Sequence, residues 1–206
     1  MEIKFGTDGW RAIIGKDFTT NNVARVSLAV AEFLDKKQSK VVLGYDCRFG
    51  GKLFAETAAK VFALNGVKVF LSSEFVSTPM VSLGVVNYKA DLGVVITASH
   101  NPPSYNGYKL KGSYGGPTLP SDVEDIETRI PDQNTIDFDL INLNDLIDQN
   151  KISYVDLEDA YCKHVSREFD LETILNSEMS FAYDAMFGAG MNVVKRLLPK
   201  TTLLHC

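Results

Sequence analysis

The residues best suited to chemistry lie in one run, Thr97-Ala98-Ser99-His100-Asn101-Pro102-Pro103-Ser104-Tyr105-Asn106-Gly107-Tyr108-Lys109. It places a hydroxyl, an imidazole, an amide and an ammonium within one short segment. Pro102 and Pro103 restrict the backbone after the serine, and Asn106-Gly107 supplies a turn. A hydroxyl in a loop stiffened on both sides suits a group that must hold one geometry. Taken alone, the pattern also fits a plainer role, in which Ser99 caps a turn and His100 fills a polar niche. Their adjacency does not make a catalytic dyad, because such sets are assembled from spatial neighbours.

The loop starts where a strand should end. Residues 91–96 are a short apolar run, as are 40–45 and 67–71, and each reads as a buried strand. Between them, residues 20–37 carry Val23, Val26, Val30, Phe33 and Leu34 at helical spacing, with Thr19 or Thr20 as the cap. Residues 53–64 place Phe54, Ala58, Val61 and Phe62 on one side, and Asn65-Gly66 ends that helix. Thr78-Pro79 opens a third helix, with proline where its missing N–H costs nothing. This β-α-β-α-β order predicts a largely parallel sheet covered on both faces. Ligands of open α/β sheets bind outside the carboxyl ends of the strands, which puts Ser99 at the functional edge. Residues 108–111 follow too closely for a crossover helix, so they should run antiparallel and make the sheet mixed.

From 131 to 151 the character changes to aspartates, asparagines and isolated apolar residues, with one extended piece expected near 136–141. Helix is expected at 155–169, strand at 179–184, a tight turn at Gly188-Ala189-Gly190, helix at 191–198 and the start of a strand at 201–205. The expected fold is a three-layer α/β/α domain with a mixed, mostly parallel sheet, followed by the incomplete start of a second similar α/β domain. The divisions are 1–135, a boundary segment 136–152, and a partial second domain 153–206. So few elements cannot close a separate core, and Leu203 and Leu204 would lie on an unpaired strand. The chain therefore reads as truncated, as an engineered fragment, or as a piece that packs on something else.

The formal charge is −5 and the basic residues are scattered, which argues against nucleic acid or an anionic membrane as partner. Cys47, Cys162 and Cys206 offer neither zinc spacing nor a disulfide framework. No apolar run approaches a membrane span, and a reducing cytoplasm is the simplest home.

The serine run resembles the phosphoserine loop of the α-D-phosphohexomutases, the phosphoglucomutase/phosphomannomutase family. Phe5-Gly6-Thr7-Asp8-Gly9-Trp10-Arg11 is similar to that family's opening motif, although Ala12 replaces the glycine often seen next. Gly44-Tyr45-Asp46-Cys47-Arg48 and Asp184-Ala185-Met186-Phe187-Gly188-Ala189-Gly190 resemble two further motifs, in order along the chain. The resemblance implies that Ser99 gives a phosphoryl group to a hexose phosphate and recovers the other phosphate of the resulting hexose 1,6-bisphosphate, which serves as intermediate and activator. It implies Mg²⁺, with an oxygen of phosphorylated Ser99 as one ligand and the others from a missing third domain. Arg11, His100, Asn101 and Lys109 would line the same centre, with Arg11, His100 and Lys109 acting in catalysis and Lys109 in proton transfer or charge stabilisation. The partners implied are the hexose phosphate and the enzyme's remaining domains.

Phosphoryl transfer rewards positioning and charge neutralisation above covalent help, and Arg11 and Lys109 can supply the charge. From pattern alone, Lys109 could equally protect a sheet edge, and Arg48 could face the site or pair with Asp46. Gly188-Ala189-Gly190 could bind an anion or simply allow close packing. Asp137-Phe138-Asp139 is the nearest approach to the family's Asp-x-Asp-x-Asp metal loop, and Ile141 rules it out. An isolated chain of this kind should be nearly inactive. A non-catalytic binding or scaffold protein that keeps the mutase domain is the alternative, and a serine phosphatase is disfavoured for want of metal ligands. The sequence leaves glucose, mannose and amino sugars open as substrates.

Overall fold

The computed structural model describes residues 2–6, 9–34 and 38–206, apart from the side chain of Asp139. Thr7 and Asp8 of the opening motif, and 35–37 of the first expected helix, lie outside the described residues. Six strands, β1 (Trp10–Ile13), β2 (Lys40–Tyr45), β3 (Lys68–Ser72), β4 (Leu92–Ile96), β5 (Tyr105–Gly112) and β6 (Ile152–Val155), form one sheet in the order β1-β5-β4-β2-β3-β6. Strands β4, β2, β3 and β6 are parallel neighbours, and β5 runs antiparallel to both β4 and β1. The mixed sheet expected from the sequence is therefore present.

Alternation along the central strands assigns the two faces. Val41, Leu43, Tyr45, Val94 and Ile96 point to a core with α1 (Thr20–Leu34) and α2 (Gly51–Leu64). Helices α4 (Pro120–Thr128) and α5 (Leu143–Asp148) complete that layer through Ile126 and Leu146. Val42 and Val95 point the other way, to α3 (Thr78–Tyr88) and α6 (Leu157–Glu168). Gly44 lies under α3, where a Cβ would come within 2.6 Å of methyl groups of both Val76 and Val81. The three layers result from strands buried on both sides.

One expectation fails between 136 and 155. The extended piece near 136–141 is a single 3-10 turn, Phe138–Leu140. Its apolar residues are interrupted by acids, so it offers no continuous face for a sheet to bury, and Leu140 stands in solvent. The sixth strand of the sheet and the helix after it, β6 and α6, come from beyond residue 135. Strand β6 pairs Val69 with Ile152 and Ser72 with Val155, covering what would otherwise be an open edge at β3. Sequence reasoning also passed over β1, α4, α5 and a short helix α7 (Leu171–Leu175).

After α7, β7 (Ala182–Asp184) and β8 (Thr202–Leu204) form a separate parallel pair joined through α8 (Met191–Leu197). Among the described residues no helix is long and apolar enough to cross a membrane.

Candidate functional site

The carboxyl ends of the parallel strands meet at one cleft of about 470 Å³. The loop after β2 brings Asp46, Cys47, Arg48 and Phe49 to it, the start of α3 brings Ser77 and Thr78, and the loop after β4 brings Thr97, Ser99 and Asn101. Met186, Phe187, Gly188 and Ala189 form the facing wall. This is where sheet topology directs ligands.

Ser99 is exposed and has a left-handed backbone, φ 54°. That conformation is disfavoured for a residue with a Cβ, so its surroundings must hold it. The Ser99 N–H donates to Thr97 Oγ1 at 3.0 Å, and the Thr97 hydroxyl donates to Asp46 Oδ2 at 2.6 Å. Arg48 Nη2 donates to the carbonyls of Ser99, at 2.8 Å, and Asn101, at 2.7 Å. Its Nη1 donates to the carbonyls of Pro102, at 2.9 Å, and Tyr105, at 3.0 Å. The Arg48 guanidinium also lies 3.6 Å from Asp46 Oδ2, and its backbone N–H donates to Asp46 Oδ1. Both roles left open for Arg48 are present, since it lines the cleft and pairs with Asp46, and the four loop carbonyls are an addition that the sequence did not signal.

The expected site residues are placed unequally. Ser99 and Asn101 line the cleft. Arg11 joins them through the bond from its Nη1 to Asn101 Oδ1, 2.7 Å. The reach across β5 depends on Gly107, which stands opposite Arg11, because a Cβ there would lie 3.1 Å from Arg11 Cγ and 2.4 Å from the Thr97 carbonyl. His100 Nδ1 is 3.4 Å from Ser99 Oγ on the exposed side of the loop, away from the cleft lining. Lys109 is two residues along β5 from Gly107, on the sheet face that carries Arg11, and is half-buried. It borders a separate pocket of about 30 Å³ with Gly6 and Gly9, not the Ser99 cleft.

Cys47, Phe49, Ser77, Thr78, Met186 and Phe187 were missed as cleft residues. The available signal was positional, since the first four directly follow β2 or closely follow β3, whose ends share the functional edge with β4. Gly188 and Ala189 line the cleft, whereas Gly190 serves close packing, because a Cβ there would lie 2.4 Å from the Tyr183 hydroxyl. Burial and then the Asp46 carboxylate push the Cys47 thiol up to about 11.

The described residues do not make a Mg²⁺ site on their own. They contain no group of three or more His, Cys, Asp or Glu side chains placed to hold a metal. Asp46, the one acid of the cleft lining among the described residues, has both oxygens engaged, by the Thr97 hydroxyl and the Arg48 N–H. Mg²⁺ requires a near-octahedral set of oxygens.

The model of phosphoglucomutase/phosphomannomutase α/β/α domain I matches residues 2–136. A phosphoglucomutase of Staphylococcus saprophyticus is 33% identical over 79% of this chain and 31% of its own length. A phosphoribomutase of Saccharomyces cerevisiae is 33% identical over 98% of this chain and 36% of its own length. A crystal structure from Thermus thermophilus, assigned as a phosphomannomutase, superposes with a TM-score of 0.86 at 30% identity, covering 99% of this chain and 45% of that one. The chain thus spans about a third of the length of the curated relatives it matches.

Proposed function

The chain belongs to the phosphoglucomutase/phosphomannomutase family, and from that premise we propose that Ser99 is the phosphoryl carrier of a sugar-phosphate mutase. The observation that carries the reading is the Ser99 hydroxyl itself, exposed at the mouth of a 470 Å³ cleft on a backbone held out of its ordinary range. A carrier needs this combination of access and fixed direction.

In the first half-reaction a sugar hydroxyl oxygen attacks the phosphorus on Ser99. The bond from phosphorus to the serine oxygen breaks, leaving a hexose 1,6-bisphosphate and a free serine. After the bisphosphate reorients, the serine oxygen attacks its other phosphorus, and the isomeric monophosphate leaves. Phosphoserine carries about −1.5 to −2 charges, and convergent donors stabilise the charge spread over the transferring group. Arg11, tethered through Asn101 Oδ1 beside the loop, is the guanidinium proposed for that role. Lys109 on the same sheet face is the proposed source of charge or of a proton, and His100 orients the exposed side of the loop. A Mg²⁺ ion on a phosphoryl oxygen of Ser99 would neutralise further charge and would take its other ligands from outside the residues described. For that reason the 206-residue chain by itself should turn over very slowly. The cytoplasm is the proposed compartment, on cysteine usage.

Glucose and mannose 1- and 6-phosphates are the proposed substrates, and ribose 1-phosphate joins the panel because of the name carried by the yeast relative. The test is turnover of all three sugar phosphates by the protein at its full natural length, with phosphosite mapping of the purified protein. Phosphate on Ser99 and loss of turnover in Ser99→Ala are expected. A fully active Ser99→Ala variant overturns the reading.

A further inference from the structure

Four hydrogen-bonded or ionic links close a ring through the Ser99 backbone. Arg48 Nη2 holds the Ser99 carbonyl, the Ser99 N–H is held by Thr97 Oγ1, the Thr97 hydroxyl is held by Asp46, and Asp46 pairs with Arg48. The ring therefore holds the amide on each side of the residue whose φ is 54°. A left-handed backbone costs a residue with a Cβ roughly 1–2 kcal/mol and persists where the surroundings over-determine it.

We infer that Arg48, Asp46 and Thr97 are positioning residues whose task is to fix the direction of the Ser99 hydroxyl, and that the Arg48 guanidinium is not a phosphate ligand. This inference rests on the reading of Ser99 as a phosphoryl carrier. It goes beyond that reading by assigning the arginine beside the serine to the loop and not to the substrate.

Hydrogen-bond capacity separates the two roles. Arginine has five N–H donors. In Arg48 the two terminal nitrogens make four carbonyl bonds, to Ser99, Asn101, Pro102 and Tyr105, and Nε lies 3.6 Å from Asp46 Oδ2, an ionic contact beyond hydrogen-bond range. With both terminal nitrogens committed to the loop and Nε alone outside those bonds, no pair of nitrogens is left for the bidentate grip that arginine uses on phosphate. The side chain is 14% exposed, so the bonds form under partial exclusion of water. Its four carbonyl partners span 99 to 105, the hairpin that returns the chain from β4 to β5. One planar fork thus fixes the whole bend, a task that a lysine ammonium, with three donors on a single nitrogen, cannot perform. Thr97 does the matching work on the amide side. Buried at 7% exposure, it donates to Asp46 while accepting from Ser99, so its hydroxyl is used in both senses.

Positioning predicts that loss of the ring should lower kcat and leave KM little changed, because the substrate still binds but meets a wandering nucleophile. A misplacement of about 1 Å costs on the order of 10²-fold in rate. The experiment compares Arg48→Met, Arg48→Lys and Thr97→Val with Ser99→Ala, in the protein at its full natural length. It measures kcat and KM on glucose 1-phosphate, or on whichever phosphate of the panel is turned over, together with amide exchange at 99–105. The expected result is a kcat lower by about 10²-fold in Arg48→Met and Arg48→Lys alike, with KM within about twofold and faster exchange across the loop. Thr97→Val, which keeps shape and loses only the hydroxyl, should show the same split to a lesser degree and covers the case in which an Arg48 variant fails to fold.

Full kcat in Arg48→Lys would show that charge alone is required and overturn the proposal, as would a raised KM with unchanged kcat, the mark of a substrate ligand. Unchanged kcat and exchange in Thr97→Val would also overturn it. If Ser99→Ala keeps its activity, the carrier reading itself falls. The exchange data then still report whether the ring orders the loop, so the two failures are told apart.

Discussion

The six-stranded sheet and the region from 171 to 206 are both built from strands and helices joined by short turns, yet they are held in very different ways. In the first, Val41, Val42, Leu43, Val94, Val95 and Ile96 are fully buried between two helical layers. In the second, Val193 is the one buried apolar side chain among the described residues, while Met179, Met186, Phe187 and Leu204 stand in solvent. The cleft takes one wall from each region. The hydroxyl that must keep its direction is rooted in the part that cannot yield, and the facing wall belongs to the part with few buried contacts. Regions with little buried apolar area open at low free energy, so the facing wall is the one able to adjust to a ligand.

The contrast is broken most directly in the two cores. Phe62 is fully buried between α2 and the sheet and meets the cluster formed by α1 and the central strands. Phe62→Ala should cost about 3–5 kcal/mol of stability. Leu204→Ala, on β8, should cost far less, about 0.5 kcal/mol, because the residue is 47% exposed and has no buried core around it. Urea unfolding of the two variants measures both numbers. Similar costs would show that the far region is tied into the same cooperative core.

That contrast also explains what the sequence made legible. Strands β2, β3 and β4 could be read because burial on both faces leaves continuous runs such as Val41-Val42-Leu43. Ser99 could be placed because the carboxyl end of a parallel strand is where loops serve ligands. Strand β1 was not legible, since its four residues alternate Trp10, Arg11, Ala12 and Ile13 and acquire meaning only by pairing with β5. Strand β6 was hidden for the same reason, because an edge strand is defined by the neighbour it covers. In the site, the Arg48 bonds to the loop carbonyls left no trace in sequence, as backbone acceptors look alike at every position. The cleft wall at Met186 and Phe187 comes just before the turn expected at Gly188-Ala189-Gly190, and only folding shows what that segment faces.

The cysteines offer a chemical form of the comparison. Cys47 in the loop after β2 and Cys206 at the far end are both exposed as residues. Desolvation, and after it the Asp46 carboxylate, push the Cys47 thiol up to about 11. The thiolate is the reactive form, so near pH 7 Cys47 should alkylate with iodoacetamide about 10²-fold more slowly than an ordinary exposed thiol. Peptide mass spectrometry over time, with Cys206 as internal reference, measures the ratio. The Cys47 rate should keep climbing as pH is raised toward 11. Rapid labelling of Cys47 at pH 7 would mean that the loop is looser than its hydrogen bonds imply, and would weaken the case for a rigid carrier wall.

The smallest expected effect concerns how the facing wall is held at all. Met186 and Phe187 have φ of 47° and 56°, both left-handed, and neither has a core around it. The Met186 N–H donates to Asp184 Oδ1 at 2.8 Å, and the Phe187 N–H donates to the His205 carbonyl, also at 2.8 Å. The same bond to Met186, followed by the His205 imidazole at 3.0 Å, holds the Asp184 carboxyl below the usual carboxylate range. A carboxyl depressed on folding contributes its stability above its unfolded value, about 3.9, and loses it as pH falls through the lower folded value. The clasp should therefore be intact at pH 6 and released as pH falls through the lowered folded value of Asp184. Asp184→Asn keeps the shape and removes the charge, so it should speed amide exchange at Met186 and Phe187 at pH 6. The ratio of variant to wild-type rates should then fall toward one as acid neutralises the wild-type carboxyl, at a pH below that at which a free aspartate titrates. The Thr202 amide, bonded to the Phe181 carbonyl on the β7–β8 pair, is the internal control and should not respond. A ratio that stays the same throughout the acid titration would show that shape and not charge fixes the wall, and that the wall is more rigid than its exposure suggests.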